Sequence, residues 1–446
     1  VIQVNRIVKL SVVIGSLVAA GAHGADSAPS IEELWQIVQA QQQELERLRQ
    51  ELDTSKSQAR TVENQLLETS ERLDAVGEVI DQPNRGGASW ADKTRIGAYG
   101  EMLYNDGTQS SSSRELDIQR FVTYLEHNFN DNLRFFSELE VEHALIEGAN
   151  SPGAVELEQA YLEWDYANDH SVLAGMHLAP VGILNETHEP NTFYGVERNL
   201  VESRIIPTTY SVNGVKFAGR LGLGFSYDFG VHEGLFFEGG NGGDIAIRSA
   251  RQSGARAELD SPAVTGRLRY TGVPGLELGA TLQYQTDMTQ NGSKRGNIGR
   301  NGLIDAFGNP VSDISGVLSE AHLVYSSGPW GLRALWAQWS IDNKIESIAD
   351  SNIAINGLGR DRQTGYYIEP SYRFSEKFGA FYRYERIDER AGSNTGAAKD
   401  SAIGRNLLGA NYWLTSNAVM KLDYQFGADD KDRNLEGFNL GIGWQF

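Results

Sequence analysis

The sequence predicts an all-β transmembrane barrel of sixteen antiparallel strands, preceded by an N-terminal α-helical coiled coil. Three observations predict it. The last strand places Phe438, Leu440, Ile442, Trp444 and Phe446 on one face and Asn439, Gly441, Gly443 and Gln445 on the other. Such a period of two, with every large apolar side chain on one side, describes a strand facing an apolar medium. The connections between strands alternate long and short from residue 94 to the end, which sorts them to opposite sides of a membrane. The composition is rich in Gly (49), Tyr (18) and Phe (17), yet the mean hydropathy is -0.38. A barrel strand alternates lipid-facing and water-facing residues, so its average is not apolar.

The N-terminal residues read as a secretory signal peptide over 1–25. Arg6 and Lys9 supply the positive region, residues 10–20 the apolar core and Ala20, Gly21, Ala22, Gly24 and Ala25 the small residues around a cleavage site. That core is shorter than the ~20 residues a spanning helix needs. A heptad pattern then runs over 30–80. Ile31, Val38, Leu45, Leu52, Ala59, Leu66, Leu73 and Ile80 occupy a; Leu34, Gln41, Leu48, Ser55, Val62, Thr69 and Val76 occupy d. Polar d layers fix register at a cost in stability. Ser30 with Glu33 suits a capping box. The alternative is a single amphipathic helix packed on a globular domain; the heptads favour a coiled coil, taken as a trimer to match the barrel. Residues 81–93, with Pro83, Gly86 and Gly87, form a linker.

The sixteen strands are expected near 94–105, 115–128, 131–145, 155–167, 170–178, 211–219, 222–232, 262–271, 275–287, 316–327, 329–341, 363–374, 377–388, 402–415, 418–428 and 435–446. Leu276, Leu278, Leu282 and Tyr284 form one outer face; Met420, Leu422, Tyr424 and Phe426 another; Leu162, Trp164 and Tyr166 a third. The opposite faces carry Glu277, Thr281 and Gln283, then Lys421, Asp423 and Gln425, then Gln159, Glu163 and Asp165. Unpartnered charge on an inner face requires water there. Both ends of the barrel lie on the short-turn side, which puts the coiled coil in the periplasm.

Tyr99-Gly100-Glu101, the run 120–142, the run 156–164 and the segment 175–214 together resemble the phosphate-selective porin O and P family. The likeness covers residues 94–446. It implies a homotrimeric outer-membrane barrel with its third loop folded into the pore; the coiled coil is similar to that of dicarboxylate-taking porins. The function implied is passive diffusion of small hydrophilic solutes, anions such as phosphate or dicarboxylates among them. The phosphate-selective members line the lumen with arginine and lysine. This chain has net charge -20 and departs from that pattern, so phosphate selectivity is not carried over.

The third loop, 179–210, is the expected constriction, with Glu186, His188, Glu189, Glu197, Arg198, Glu202 and Arg204 as candidate solute contacts among rigidifying prolines. Strand parity assigns Glu138, Glu140, Glu142, Glu163 and Asp165 to an acidic wall and Lys216, Arg267, Arg269, Arg373 and Lys421 to a basic one. Opposed charge across a pore filters ions. Phe446 is read as the signal for the outer-membrane assembly machinery. Expected partners are lipid, lipopolysaccharide, that machinery, two further copies of the chain and the solute.

The sequence excludes several functions. No cysteine is present, so thiol catalysis and thiolate metal sites are absent. No nucleophile motif, cofactor motif or metal-ligand spacing occurs, and His127, His143, His170 and His322 are read as wall or interface residues. An enzyme is therefore not expected, nor a nucleic-acid partner for so acidic a chain. A tether from barrel to cell wall through the coiled coil is the alternative function.

Overall fold

The computed structural model describes residues 90–106, 114–144, 153–238, 245–291, 303, 305, 307, 309–348, 357–392, 402–429 and 435–446, plus the exposed helical positions Trp35, Gln39 and Gln42. The expected signal peptide, nearly all of the coiled coil and most of the linker lie outside the described residues. The linker's last residues, Trp90–Lys93, form one 3-10 turn.

The strands are β1 (Thr94–Asp106), β2 (Arg114–Asn130), β3 (Leu133–Glu142), β4 (Val155–Ala167), β5 (His170–Leu178), β6 (Ser211–Gly222), β7 (Phe225–His232) and β8 (Ala263–Tyr270). They continue with β9 (Leu276–Gln285), β10 (Gly316–Ser327), β11 (Trp330–Ile341), β12 (Arg362–Arg373), β13 (Phe378–Asp388), β14 (Ala402–Thr415), β15 (Ala418–Asp429) and β16 (Gly437–Gln445). Each pairs antiparallel with its neighbour, and β16 closes on β1 to complete a sixteen-stranded barrel. Closure leaves no unpaired edge, as a lipid environment demands. The seam extends one residue past β16: Ala98 and Phe446 exchange both backbone hydrogen bonds at 2.9 and 2.8 Å.

The short connections are tight because their backbones permit it. Leu223 and Gly224 join β6 to β7 with φ of 52° and 84°. Two consecutive positive φ values match the primed turn that suits strand twist. The expected outer faces are exposed: Met420, Leu422, Tyr424 and Phe426 on β15, and Leu162, Trp164 and Tyr166 on β4. Near the short turns, Phe129, Trp164, Phe217, Phe225, Trp330, Phe374 and Phe378 are exposed aromatics, placed as the interfacial girdle of a transmembrane barrel. Among the described residues no helix is long and apolar enough to cross a membrane.

The inner face differs from expectation. Parity suggested a wet lumen all round, but one side of the interior is filled. Leu318 on β10, Leu335, Trp339 and Ile341 on β11 and Ile387 on β13 pack with Leu200, Val201, Ile205 and Ile206 of the third loop and with Leu235, Phe237, Ile245, Ile247 and Met288 of the next two loops. Inward charges are accordingly paired rather than solvated: Arg383 with Glu369 at 2.6 Å and Arg405 with Glu385 at 2.5 Å. Burial of such ions is sustained by close, hydrogen-bonded partners.

The third loop enters the barrel because buried wall groups satisfy its backbone. Arg333 and Arg383 donate to the carbonyls of Thr192 and Tyr194 at 2.8 and 2.6 Å, and Asn411 to that of Phe193 at 3.1 Å. Asp423 and Glu385 accept from the amides of Val196 and Leu200 at 2.7 and 3.0 Å, and the Trp339 indole donates to Ile205 at 2.9 Å. The glycines on the inner side of β16 have a steric reason. A Cβ at Gly443 would stand 2.4 Å from Pro190 of the loop. Asn185 stitches the loop's neck, donating to Ala179 O and accepting from Tyr210 N.

Asp423 also accepts from Asn439 at 2.8 Å, so Asp423→Ala leaves two buried donors unpaired, a penalty of about 1–3 kcal/mol each. The expected result is faster hydrogen exchange at residues 193–200, read by mass spectrometry, with the barrel strands still protected.

Candidate functional site

With β11–β15 occupied in holding the third loop, open space lies between that loop and the β1–β8 wall. Three cavities mark it. The outer one, ≈ 350 Å³, is bounded by Glu101, Arg120, Glu140, Glu142, Glu156 and Glu158 on the wall and by Glu197, Arg198, Arg248 and Arg251 on the loops. The second, ≈ 530 Å³, lies on the other side of the third loop against Tyr99, Glu138, Gln159, Tyr161, Glu186, His188, Glu189 and Lys216. The third, ≈ 690 Å³, opens at the short-turn end around Arg134, Glu163, Asp165, Asp228 and Arg269.

Between the first two stands a layer of buried side chains. Arg120 donates to Glu101 at 2.7 Å and to the carbonyl of His188 at 2.8 Å. Tyr99 lies 2.9 Å from His188 Nε2, and Glu158 lies 3.5 Å from it. This layer joins the third loop to the wall between the two cavities.

Two register slips aim it. The β1–β2 pairing passes from Glu101–Arg120 to Met102–Ile118, leaving Gln119 over. The β3–β4 pairing passes from Glu138–Gln159 to Leu139–Leu157, leaving Glu158 over. A bulge reverses the parity of the rest of the strand. Glu156 and Glu158 therefore face the outer cavity while Val155 and Leu157 face outward. Simple alternation from Trp164 and Leu162 would have sent both carboxylates toward lipid, which is why the sequence reading passed over Glu158.

The expected residues fall into distinct roles. Glu186 pairs with Lys216 at 3.0 Å and Arg267 at 2.6 Å; burial opposes its ionisation, but these two cations hold its carboxyl well below the usual range. His188 belongs to the buried layer and Glu189 to the second cavity. Glu197 is exposed and accepts from Asn105 at 2.8 Å. Arg198 donates to Thr209 at 3.3 Å; burial draws its pKa down to about 10. Glu202 is fully buried and accepts from the amides of Ile183 and Leu184 at 2.6 Å and from Asn199 and Tyr367. It holds the loop together and lines none of the three cavities. Arg204 pairs with Glu389 at 3.6 Å.

On the wall, Glu138 borders the second cavity, and Glu140 and Glu142 the outer one. Glu163 and Asp165 bind Arg134 at 2.8 and 2.9 Å at the inner mouth. Arg267 and Arg269 share Asp228. Arg373 is exposed and lies 4.3 Å over the Trp413 ring, and Lys421 lies 3.5 Å from the Phe193 ring under the third loop. The four singly read histidines have local partners: Thr94 for His127, Asp117 for His143, Tyr227 for His170, and Glu320 with Glu277 for His322.

Sequence reasoning did not find Arg248 and Arg251, which lie in the fourth loop beside residues that composition marks only as glycine-rich. Arg248 donates to Ser203 O and Thr208 O, and Arg251 to Thr209 O. Burial lowers the pKa of Arg251, while Arg248 is exposed. Both stay charged at neutral pH and face Glu142 and Glu156 across the outer cavity.

A sixteen-stranded barrel with its third loop inside and opposed charges at the resulting narrowing has the porin fold. The chain belongs to the same family as an uncharacterized protein of Aquifex aeolicus (strain VF5), to which it is 30% identical over 367 residues, 79% of each chain. No protein-family model matches it. In fold it is similar to Salmonella typhi OmpF solved with daunomycin (14% identity, TM-score 0.52, 79% of this chain and 97% of that one). It is likewise similar to the outer membrane channel DcaP of Acinetobacter baumannii (11% identity, TM-score 0.51, 79% and 97%). These similarities support a likeness to porins in general rather than to the phosphate-selective family.

Glu233 anchors the start of the fourth loop by accepting from the amide of Asn213. Burial raises its pKa to about 7, above the ~4.3 of an unfolded Glu. The fold therefore favours the protonated acid. Its contribution is fully present below about pH 4 and is lost as pH rises through 7. Glu233→Gln is expected to flatten the pH dependence of thermal stability between pH 5 and 8, measured by circular dichroism melts, and to raise the melting temperature most at pH 8.

Proposed function

We propose that this protein is an outer-membrane porin: a passive diffusion channel for small hydrophilic solutes, working as a homotrimer with its coiled coil in the periplasm. The observation that carries the reading is the electrostatic division of the outer cavity. Arg198, Arg248 and Arg251 outnumber Glu197 on the loop side, and Glu101, Glu140, Glu142, Glu156 and Glu158 outnumber Arg120 on the strand side. Fixed charges of opposite sign across a narrow, low-dielectric passage orient a dipolar solute with its cationic end to the wall and its anionic end to the loops. Solutes carrying both charges fit best. Phosphate or a dicarboxylate would meet the arginines but also the facing carboxylates. Insertion through the assembly machinery by way of Phe446, and contact with lipopolysaccharide, belong to the same proposal.

The test is the reversal potential of purified protein in a planar bilayer under a KCl gradient. Weak selectivity is expected, leaning to potassium. Glu142→Gln with Glu156→Gln should move it toward chloride, and Arg248→Gln with Arg251→Gln further toward potassium. Absence of conductance in reconstituted protein would overturn the channel reading.

A further inference from the structure

The buried layer between the two cavities gathers four carboxyl groups. Glu101, Glu138, Glu140 and Glu158 are each no more than 5% exposed. The guanidinium buried with them, Arg120, is engaged by Glu101 and by the His188 carbonyl. Glu158 Oε2 is sealed from solvent and has no hydrogen-bond partner among the described residues. An isolated buried carboxylate oxygen is costly and calls for a cation.

The ring of His188 is turned to supply the third ligand. Its Nδ1 lies 3.2 Å from the carbonyl of Asn185. A carbonyl can only accept, so that hydrogen bond places a proton on Nδ1 and leaves Nε2 of the neutral ring as acceptor for the Tyr99 hydroxyl at 2.9 Å, with Glu158 beside it at 3.5 Å. An ion in the place of the Tyr99 hydroxyl would bridge Nε2 and the Glu158 oxygen, which lie 3.5 Å apart. An Nδ1–H held by a backbone carbonyl is the usual support of a metal-ligating histidine. Gln159 holds Glu138 in the same way, donating to it at 2.6 Å. Ligand atoms of Glu138, Glu158 and His188 all lie within 4.8 Å of one another. Small side-chain rotations close that span onto an ion with bonds of ~2.0–2.2 Å.

We propose that Glu138, Glu158 and His188 form a binding site for a divalent transition-metal ion of the zinc class, and that the bound ion pins the third loop to the β3–β4 wall and blocks the route between the two cavities. The imidazole selects such ions over calcium and magnesium, which prefer oxygen alone. The ion displaces the Tyr99 hydroxyl from Nε2. The three ligands are 20 and 30 residues apart in the chain, and one is turned inward only by a bulge, so no spacing in the sequence announces the site.

The test begins with the full chain in detergent, stripped with chelator and titrated with ZnCl₂ by calorimetry. Bound metal is counted by elemental analysis after gel filtration. About one zinc per chain is expected, with calcium binding at least tenfold more weakly. His188→Ala and Glu158→Gln should each weaken zinc binding at least about tenfold; His127→Ala should leave it unchanged. Cobalt(II) should give a visible d–d band in the wild type that His188→Ala removes. Folding of each variant is checked by circular dichroism, and Glu138→Gln replaces any that fails. No zinc uptake, or equal uptake by wild type and His188→Ala, overturns the site. The blocking half rests on the channel reading and is tested separately in the bilayer. Micromolar zinc should at least halve wild-type conductance, reversibly with EDTA, and not that of His188→Ala. Unchanged conductance with zinc bound overturns the block.

Discussion

The arrangement depends on one constraint: a long loop cannot lie inside a barrel unless its backbone polar groups find partners there. The inner faces of β11–β15 supply them. Arg333, Arg383, Asn411, Asp423, Glu385 and Trp339 each bind a backbone atom of the third loop. The glycine at 443 lets Pro190 come close. Once the loop is committed to that side, the apolar residues of its far half are carried against β10–β13 and the next two loops, where burial adds a hydrophobic contribution. Open space is left against β1–β8.

This division explains the charges. Inward charges on the anchoring side are buried and paired, and serve structure. Those on the open side either border cavities or form the layer between them. A lumen-facing charge is therefore not by itself a solute contact. Arg383 and Glu385 illustrate the first kind, Glu142 and Arg198 the second. Arg248 and Arg251 on the loop side owe their orientation to backbone carbonyls, and Arg198 to the Thr209 hydroxyl, neutral acceptors that attract the guanidinium without cancelling its charge.

The barrel was legible in the sequence because lipid enforces alternation on every strand and topology sorts the loops by length. The strand positions agree to within a few residues, and the outer faces of β4, β9 and β15 read correctly from alternation alone. The interior was less legible. An inner face can border water, an apolar plug or a loop backbone, and all three tolerate mixed residue types. Trp339 and Ile341 give no sign in sequence that they meet loop residues more than a hundred positions away. Glu158 escaped because the parity rule counts residues, and a bulge changes the count without leaving a mark in composition. Arg248 and Arg251 escaped because loops have no parity to read. The signal peptide and coiled coil were read from sequence alone.

The surplus residue in β4 makes the strand's response to a change of length depend on where the change falls. Below it, Leu162 and Trp164 face outward; above it, Leu157 and Val155 do, and the two halves are out of phase by one. Loss of a single codon at 158 or 159 would remove the surplus residue and restore regular pairing with Leu157 still outward and Glu156 still inward, whereas loss of a codon elsewhere in the strand would turn one half over. A substitution at the same place changes one side chain. In β4 and β2 the bulge is thus a place where a residue can be lost without reversing the faces of the strand.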